Sequence, residues 1–297
     1  MAESSTQATE HWIEIDGRRM RYLHIGSGAP LLLLGGLLGG PFCWRFTMPA
    51  LAARYSVYAV DMPGSGLSQD TGIDCSISQQ AQRLAEFVMK MGWKEFGVIG
   101  SSFGGAIAMS LARKIQRAAI PTRIHSLILS SPVNPWSGFG QRRIRLLSTK
   151  LGGYFLRAVL PISRPVHKIA VQRMYGDPSR VTKEAVEGYR ATVLQPGRAQ
   201  NILTALRKWR PDLAYLEKVI PRLNIPALLI WGTHDQAVDP RSATVLQQRL
   251  PQAELKLIAG AGHLPFEESP EEFNRLTLEF LERLPRKPVS VPSVPSI

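Results

Sequence analysis

The sequence predicts an α/β fold: a mostly parallel, eight-stranded sheet with helices on both faces and a helical segment inserted before the last two strands. Three observations predict it. Short apolar runs without polar alternation recur over residues 30–130, as strands do when helices cover both faces of a parallel sheet. Between two of them Ala81, Leu84, Ala85 and Val88 recur at helical spacing. From Pro132 to about Pro221 the strand pattern stops, and it resumes after Pro226.

The elements follow in order. Trp12–Ile15 and Arg19–Ile25 flank Asp16-Gly17, a pair that favours the left-handed backbone of a two-residue hairpin. Pro30–Leu34, Ser56–Val60, Phe96–Ile99 and Ile124–Ser130 read as further strands, and Ser78–Met91 as a helix with Ser78 at its N-cap. Ala106–Ala112 continues as a helix after Phe96–Ile99, which suits right-handed βαβ units. Ala227–Trp231 and Glu254–Ile258 are the last strands. The final helix starts at Ser269 as N-cap, with Pro270 first and Glu272 closing a capping box, and its inward stripe is Phe273, Leu276, Phe280, Leu281 and Leu284. The organisation is a disordered start over residues 1–10, a split core at 11–135 and 220–284, a basic helical lid at 136–219, and a proline- and serine-rich disordered tail at 285–297.

An apolar fraction of 44 % over 297 residues suits a globular chain with a large core. Two cysteines, Cys43 and Cys75, form neither a disulfide framework nor a metal-ligand pattern and read as free thiols. The start lacks the basic and apolar regions of a signal peptide, and the apolar run Leu31–Leu38 is too short to span a bilayer, so a soluble cytoplasmic protein is expected. The formal charge is +13, and Ser137–Arg210 holds fifteen Lys and Arg against three acids, Asp177, Glu184 and Glu187. Charge confined to one internal segment argues against a nucleic-acid binder, which more often spreads it or attaches it as a tail.

The chemistry gathers in three places. Gly100-Ser101-Ser102-Phe103-Gly104 fits G-x-S-x-G, in which a serine on a sharp strand-to-helix turn projects its Oγ into a cleft and small neighbours relieve the crowding. Ser101 is a rival nucleophile, but only Ser102 has glycine at both −2 and +2. An elbow serine needs an imidazole; His263, in Gly260-Ala261-Gly262-His263, follows the strand that ends near Ile258. Asp235 follows the strand ending at Trp231, where open α/β sheets build their sites, and suits the role of orienting the imidazole. Asp239 competes for that role but precedes Pro240 and reads as the cap of the next helix; His234 reads as a turn residue.

These motifs, with Asp61-Met62-Pro63-Gly64-Ser65-Gly66-Leu67-Ser68 resembling the D-x-x-G-x-G-x-S turn, identify a resemblance to the α/β-hydrolase superfamily over residues 12–135 and 220–284. Asp61 there is expected to be structural. The resemblance implies acyl transfer, with Ser102 as nucleophile, His263 as base, Asp235 as acid, and no metal or organic cofactor. It places the oxyanion hole at the backbone N–H groups of Leu37 and Phe103. Leu34-Gly35-Gly36-Leu37 departs from the family's His-Gly, since Gly35 stands where the histidine is expected.

The reaction expected is hydrolysis of a carboxylic ester with a hydrophobic acyl group. Ser102 argues against the dehalogenases and epoxide hydrolases, which carry aspartate at the elbow. Carbon–carbon bond hydrolases keep the serine but typically have tryptophan after the histidine, where this chain has Leu264; cofactor-free haloperoxidases share the triad. A non-catalytic lipid- or partner-binding protein is the alternative from another class. The lid leaves two arrangements open. Ile144, Leu147, Leu151, Phe155 and Ala158 share one face of a helix that Gly152-Gly153 weakens. Either that face roofs the pocket while the basic face points outward, or the segment forms a surface for an anionic lipid or an acidic acyl carrier.

Overall fold

The computed structural model describes residues 7–64, 67–68, 73–118, 120–159 and 164–285. Eight strands, β1 (Thr9–Ile15), β2 (Arg18–Ile25), β3 (Ala29–Leu34), β4 (Tyr55–Val60), β5 (Glu95–Ser101), β6 (Arg123–Ser130), β7 (Ala227–Gly232) and β8 (Ala253–Ile258), form one sheet in the order β1-β2-β4-β3-β5-β6-β7-β8. From β4 to β8 all neighbours are parallel; β1 and β2 pair antiparallel with each other, and β2 with β4. The hairpin turns at Asp16 (φ 55°) and Gly17 (φ 68°), both left-handed, and leaves Ile15 opposite Arg18. Because β1 begins at Thr9, the strand takes in the end of the stretch expected to be disordered: edge pairing with β2 orders it despite its polarity. The residues from 286 onward, in the expected tail, lie outside the described part.

Helices cover both faces. They are α1 (Met48–Ala52), α2 (Ile77–Lys90), α3 (Phe103–Arg117), α4 (Gln141–Leu147), α5 (Lys150–Val159), α6 (Arg164–Gln172), α7 (Lys183–Val193), α8 (Arg198–Val219), α9 (Arg241–Arg249), α10 (Pro265–Glu268) and α11 (Pro270–Arg283). Alternation along β3 divides the core in two: Leu32 and Leu34 pack with α2 and α3, whereas Leu31 and Leu33 face Trp44, Phe266 and Phe273. Both faces of β4 and β7 are therefore buried, which is why their sequences lack polar alternation.

Two of the expected serine caps differ from expectation. Ser76, not Ser78, caps α2, its Oγ accepting the Gln79 N–H at 3.4 Å, since the helix starts one residue before Ser78. Ser269 precedes α11, but its side chain makes no cap hydrogen bond; the helix start is held by Pro270 and by the preceding turn, α10. Phe273, Phe280 and Leu281 of the expected stripe are buried, with Leu276 and Leu284 packed at its margin.

The insertion between β6 and β7 is helical, as expected, and α8 ends at its expected boundary, Val219, but much of α8 packs on the core. The helix's first half packs against α4 and α5 while Arg198 and Asn201 reach core loops, and its second half lies on the core: Trp209 stacks on Phe103 and the Ser110 hydroxyl donates to Tyr215. Asp212 accepts the Ile77 N–H at the start of α2 at 3.1 Å. Burial, with Asp74 nearby, pushes the Asp212 carboxyl up to about 6. The folded chain thus holds that proton more tightly than the unfolded chain, where aspartate titrates near about 4. The associated stabilisation is complete below about pH 4 and is lost as pH rises through about 6. Asp212→Asn, which keeps the acceptor oxygen and removes the charge, is expected to raise unfolding stability by on the order of 2 kcal/mol at pH 8, with the gain vanishing near pH 4. Urea unfolding at the two pH values checks this; a pH-independent difference would contradict it.

Candidate active site

β5 ends at Ser101 and α3 starts at Phe103, so Ser102 alone makes the turn between them. Its backbone (φ 52°, ψ −119°) lies in a region that costs a non-glycine residue about 1–3 kcal/mol and persists only when its surroundings fix it. They do. The Ser102 N–H donates to Ser130 O at 2.9 Å, and its carbonyl accepts from Gly105, Ala106 and Val133 at 3.1, 3.3 and 2.9 Å. A Cβ on Gly104 would lie 2.4 Å from the carbonyl oxygens of Leu34 and Gly35, so the turn requires glycine there. Ser101, the rival nucleophile, is the last residue of β5 and is buried.

His263 and Asp235 come together. The imidazole Nδ1 donates to Asp235 Oδ2 at 2.9 Å, and both side chains are almost wholly buried. Asp235 Oδ1 accepts the N–H groups of Ala237 and Val238 at 2.8 and 3.0 Å, which fixes the carboxylate after β7. Asp239 instead pairs with Arg241 at 2.8 Å and accepts the Arg241 N–H at 3.0 Å just before α9; the helix takes Pro240, not Asp239, as its N-cap, one residue later than expected. His234 is exposed and donates its backbone N–H to Ala261 O. All three candidate residues thus follow C-terminal ends of parallel strands, Ser102 after β5, Asp235 after β7 and His263 after β8.

The insertion reaches into this region. The His263 N–H donates to Met174 O at 2.6 Å, just beyond α6. Buried Glu268 accepts the N–H groups of Gly262 (2.5 Å), Gly176 (2.9 Å) and Asp177 (3.2 Å), tying the histidine loop to the insertion. The backbones approach so closely that a Cβ on Gly262 would sit 2.3 Å from Gly176 N, which explains the glycine before the histidine. Neighbouring Glu267 is fully buried; Arg45 grips it at 3.0 and 3.2 Å, and the Tyr175 and Tyr189 hydroxyls donate to it at 2.7 and 2.5 Å.

The loop expected to bear the oxyanion N–H of Leu37 lies beside the serine: a Cβ on Gly36 would stand 3.2 Å from Ser102 Cβ and 3.7 Å from its Oγ. The Gly39 N–H closes the loop on Gly36 O at 2.9 Å. Phe103, first in α3, has an N–H with no helical acceptor behind it. Gly35 faces Cys43 Sγ, and no side chain at 35 steadies the loop; Arg198 of α8 does so from outside. Its buried guanidinium donates to Leu37 O and to Gly64 O (2.6 Å), and burial lowers its pKa to about 10. Asp61 is structural as expected: Arg21 donates to it at 2.8 Å, and its carbonyl accepts the Ser68 hydroxyl at 2.7 Å. Ser65 and Gly66 of that motif lie outside the described residues. Sequence reading missed Arg198, Glu267 and Glu268; a charged pair directly after Leu264-Pro265-Phe266 was the available signal for the last two. Among the described residues no group of three or more His, Cys, Asp or Glu could hold a metal ion, both cysteines are buried and neither is in a disulfide, and no helix is long and apolar enough to cross a membrane.

Comparison with known proteins agrees with this architecture. The dihydrolipoyllysine-residue acetyltransferase component of the acetoin cleaving system of Cupriavidus necator is 29 % identical over 287 residues, spanning 94 % of this chain and 71 % of that protein. The pimeloyl-[acyl-carrier protein] methyl ester esterase of Aeromonas hydrophila is 28 % identical over 262 residues, 86 % of this chain and 96 % of the esterase. Among solved structures, a meta-cleavage product hydrolase from Pseudomonas fluorescens IP01 superposes with a TM-score of 0.77 at 23 % identity, over 92 % of this chain and 97 % of that one. The family model for the alpha/beta hydrolase fold matches residues 29–270. With the sheet order, the serine turn and the buried His–Asp pair, that match establishes that the chain belongs to the α/β-hydrolase family.

Proposed function

We propose that the chain is a serine hydrolase that cleaves a carboxylic ester with a hydrophobic acyl group, using Ser102, His263 and Asp235. The observation that carries this reading is the buried 2.9 Å hydrogen bond from His263 Nδ1 to Asp235, at the same end of the sheet as the strained Ser102 turn. With Nδ1–H committed to the carboxylate, Nε2 is the nitrogen left to accept a proton. Ser102 Oγ attacks the ester carbonyl carbon and its proton passes to Nε2. The oxyanion is held by the N–H groups of Leu37 and Phe103 and by the positive end of α3. Collapse expels the alcohol with the proton from Nε2. Water then attacks the acyl-enzyme, Nε2 taking and returning a proton, to release the acid. Leu264 after the histidine and the similarity to a methyl ester esterase support an ester over a carbon–carbon bond.

A panel of chromogenic esters of graded chain length, with labelling by a serine-reactive phosphonate, tests the reading. Ser102→Ala and His263→Ala are expected to abolish turnover while the protein stays folded; full activity in either would remove the assignment. Asp235→Asn is expected to lower kcat by on the order of 10⁴, because the wrong tautomer faces the serine. If Asp239→Asn proved the more damaging change, the acid would be misassigned.

Leu37→Pro removes one oxyanion donor, worth about 3 kcal/mol, so a variant shown folded by circular dichroism should lose on the order of a hundredfold in kcat. Unchanged turnover would exclude Leu37.

Arg198 acts as a positioning residue through the Leu37 carbonyl. Arg198→Met preserves bulk but removes the donors, and is expected to lower kcat by about tenfold with little change in KM, since the loop's alignment matters most in the transition state. Arg198→Lys should recover part of the loss. A change confined to KM, or to thermal stability with kcat intact, would show that Arg198 does not position the loop.

A further inference from the structure

The helical insertion carries an outward surface that neither the core nor the proposed chemistry uses. On α5, Leu151, Tyr154 and Phe155 stand at i, i+3 and i+4 on one face and are 79 %, 67 % and 61 % exposed; Leu146 of α4 beside them is 66 % exposed. The face opposite is glycine. A Cβ on Gly152 would lie 2.1 Å from Leu146 O, and one on Gly153 would lie 3.3 Å from Leu203, so α5 packs against α4 and α8 through Gly152-Gly153. Turning α5 to bury its large apolar residues would drive side chains into those backbones. The exposure is therefore built into the packing.

The charge around this face is one-sided. Residues 136–176 hold eight Lys and Arg and no Asp or Glu. Arg142, Arg143, Arg145 and Lys150 are exposed, and among the described residues none of the four is in an ion pair, whereas Arg164 farther along pairs with Glu187. Large exposed apolar side chains on an insertion whose neighbouring exposed cations are in no ion pair among the described residues have the composition of a face that lies in the headgroup layer of a membrane. We propose that the outer face of α4 and α5 docks on an anionic lipid surface, with Leu151, Tyr154 and Phe155 entering the acyl boundary and the arginines meeting the headgroups.

Charge and polarity select this occupant. A second copy of the chain, pairing face to face, would set the same cations against one another. An acidic protein would satisfy the cations yet has no evident use for Leu151, Tyr154 and Phe155 projecting together. An anionic bilayer meets both needs, with burial of each large apolar side chain adding to the attraction of the basic residues. The inference does not rest on the hydrolase reading.

The test is co-sedimentation of the full-length Ser102→Ala protein with phosphatidylcholine vesicles, with and without phosphatidylglycerol. Using the Ser102→Ala protein prevents lipid hydrolysis from obscuring binding. Binding is expected only to vesicles containing phosphatidylglycerol, and should weaken as the Debye length falls from about 10 Å at 0.1 M salt to about 3 Å at 1 M. Each basic residue near such a surface contributes about fivefold in partitioning, so joint replacement of Arg142, Arg143 and Arg145 by glutamine should cost about a hundredfold. Joint replacement of Leu151, Tyr154 and Phe155 by serine should also cost at least about tenfold, with circular dichroism unchanged in both variants. No binding at low salt, or binding indifferent to both triple replacements, would overturn the proposal. So would saturable binding to a soluble acidic acyl carrier without vesicle binding, or concentration-dependent self-association abolished by the serine replacements.

Discussion

The strained turn at Ser102 constrains more of this molecule than any other local feature. A left-handed serine between β5 and α3 is stable only where its surroundings grip the backbone, and here the gripping atoms come from several parts of the sheet. Ser130 at the end of β6 accepts its N–H, and Val133 beyond β6 donates to its carbonyl. Leu34 and Gly35, at and just beyond the end of β3, press so closely on Gly104 that α3 can start only where a side chain is absent. The central order β3-β5-β6 is the arrangement that delivers these atoms to one place. The hydrophobic burial that assembles the sheet thus supplies the energy that holds one unfavourable backbone conformation.

The same end of the sheet is not built by the core alone. Met174, Gly176 and Asp177, beyond α6, are bonded to the histidine loop directly or through Glu268. Arg198, at the start of α8, holds the Leu37 carbonyl. Both contacts engage backbone atoms, so they set loop position without dictating what the neighbouring side chains touch. Each also buries charge: Glu268 is compensated by three N–H groups, and Arg198 by carbonyl oxygens with Asp61 nearby. Buried charges satisfied in this way tolerate little displacement, because a lost partner exposes the full cost of desolvation.

What the sequence made legible follows from the range of the interactions involved. Strand runs, the Asp16-Gly17 turn and the elbow are local, and all eight strands lie where the apolar pattern puts them, most extended by a residue or two at an end. Asp235 and Asp239 were separable because proline after Asp239 marks a helix start. Ser78 and Ser269 show the limit of local reading. Either serine suits a cap in isolation, yet helix starts are decided by packing, and the chain enters α2 with Ser76 in position and α11 without a side-chain cap. Arg198, Glu267 and Glu268 were illegible for a different reason. Each is a charged residue whose burial depends on partners far along the chain, Arg45 and Glu267 being separated by 222 positions. The Glu267-Glu268 pair stands out after Leu264-Pro265-Phe266, but one sequence without its fold does not show which distant partners bury it.

The insertion shows how a periodic pattern can identify which residues lie together while leaving their orientation open. Leu151 and Phe155 do share one face, as their spacing requires, but that face turns to solvent instead of roofing the space beneath. Periodicity identifies which residues lie together; it says nothing about which side faces in. Here the deciding residues are the smallest. Gly152 and Gly153 were legible as a weakness in a continuous helix, and the helix does divide, into α4 and α5 around Ser148 and Thr149. Their larger effect is steric: two adjacent positions without side chains let α5 approach α4 and α8 more closely than any apolar stripe would permit. Close backbone packing buries the glycine face and leaves the large side chains outside. For a short helix on an exposed insertion, the side lacking side chains determines orientation, and the hydrophobic stripe takes the side that remains.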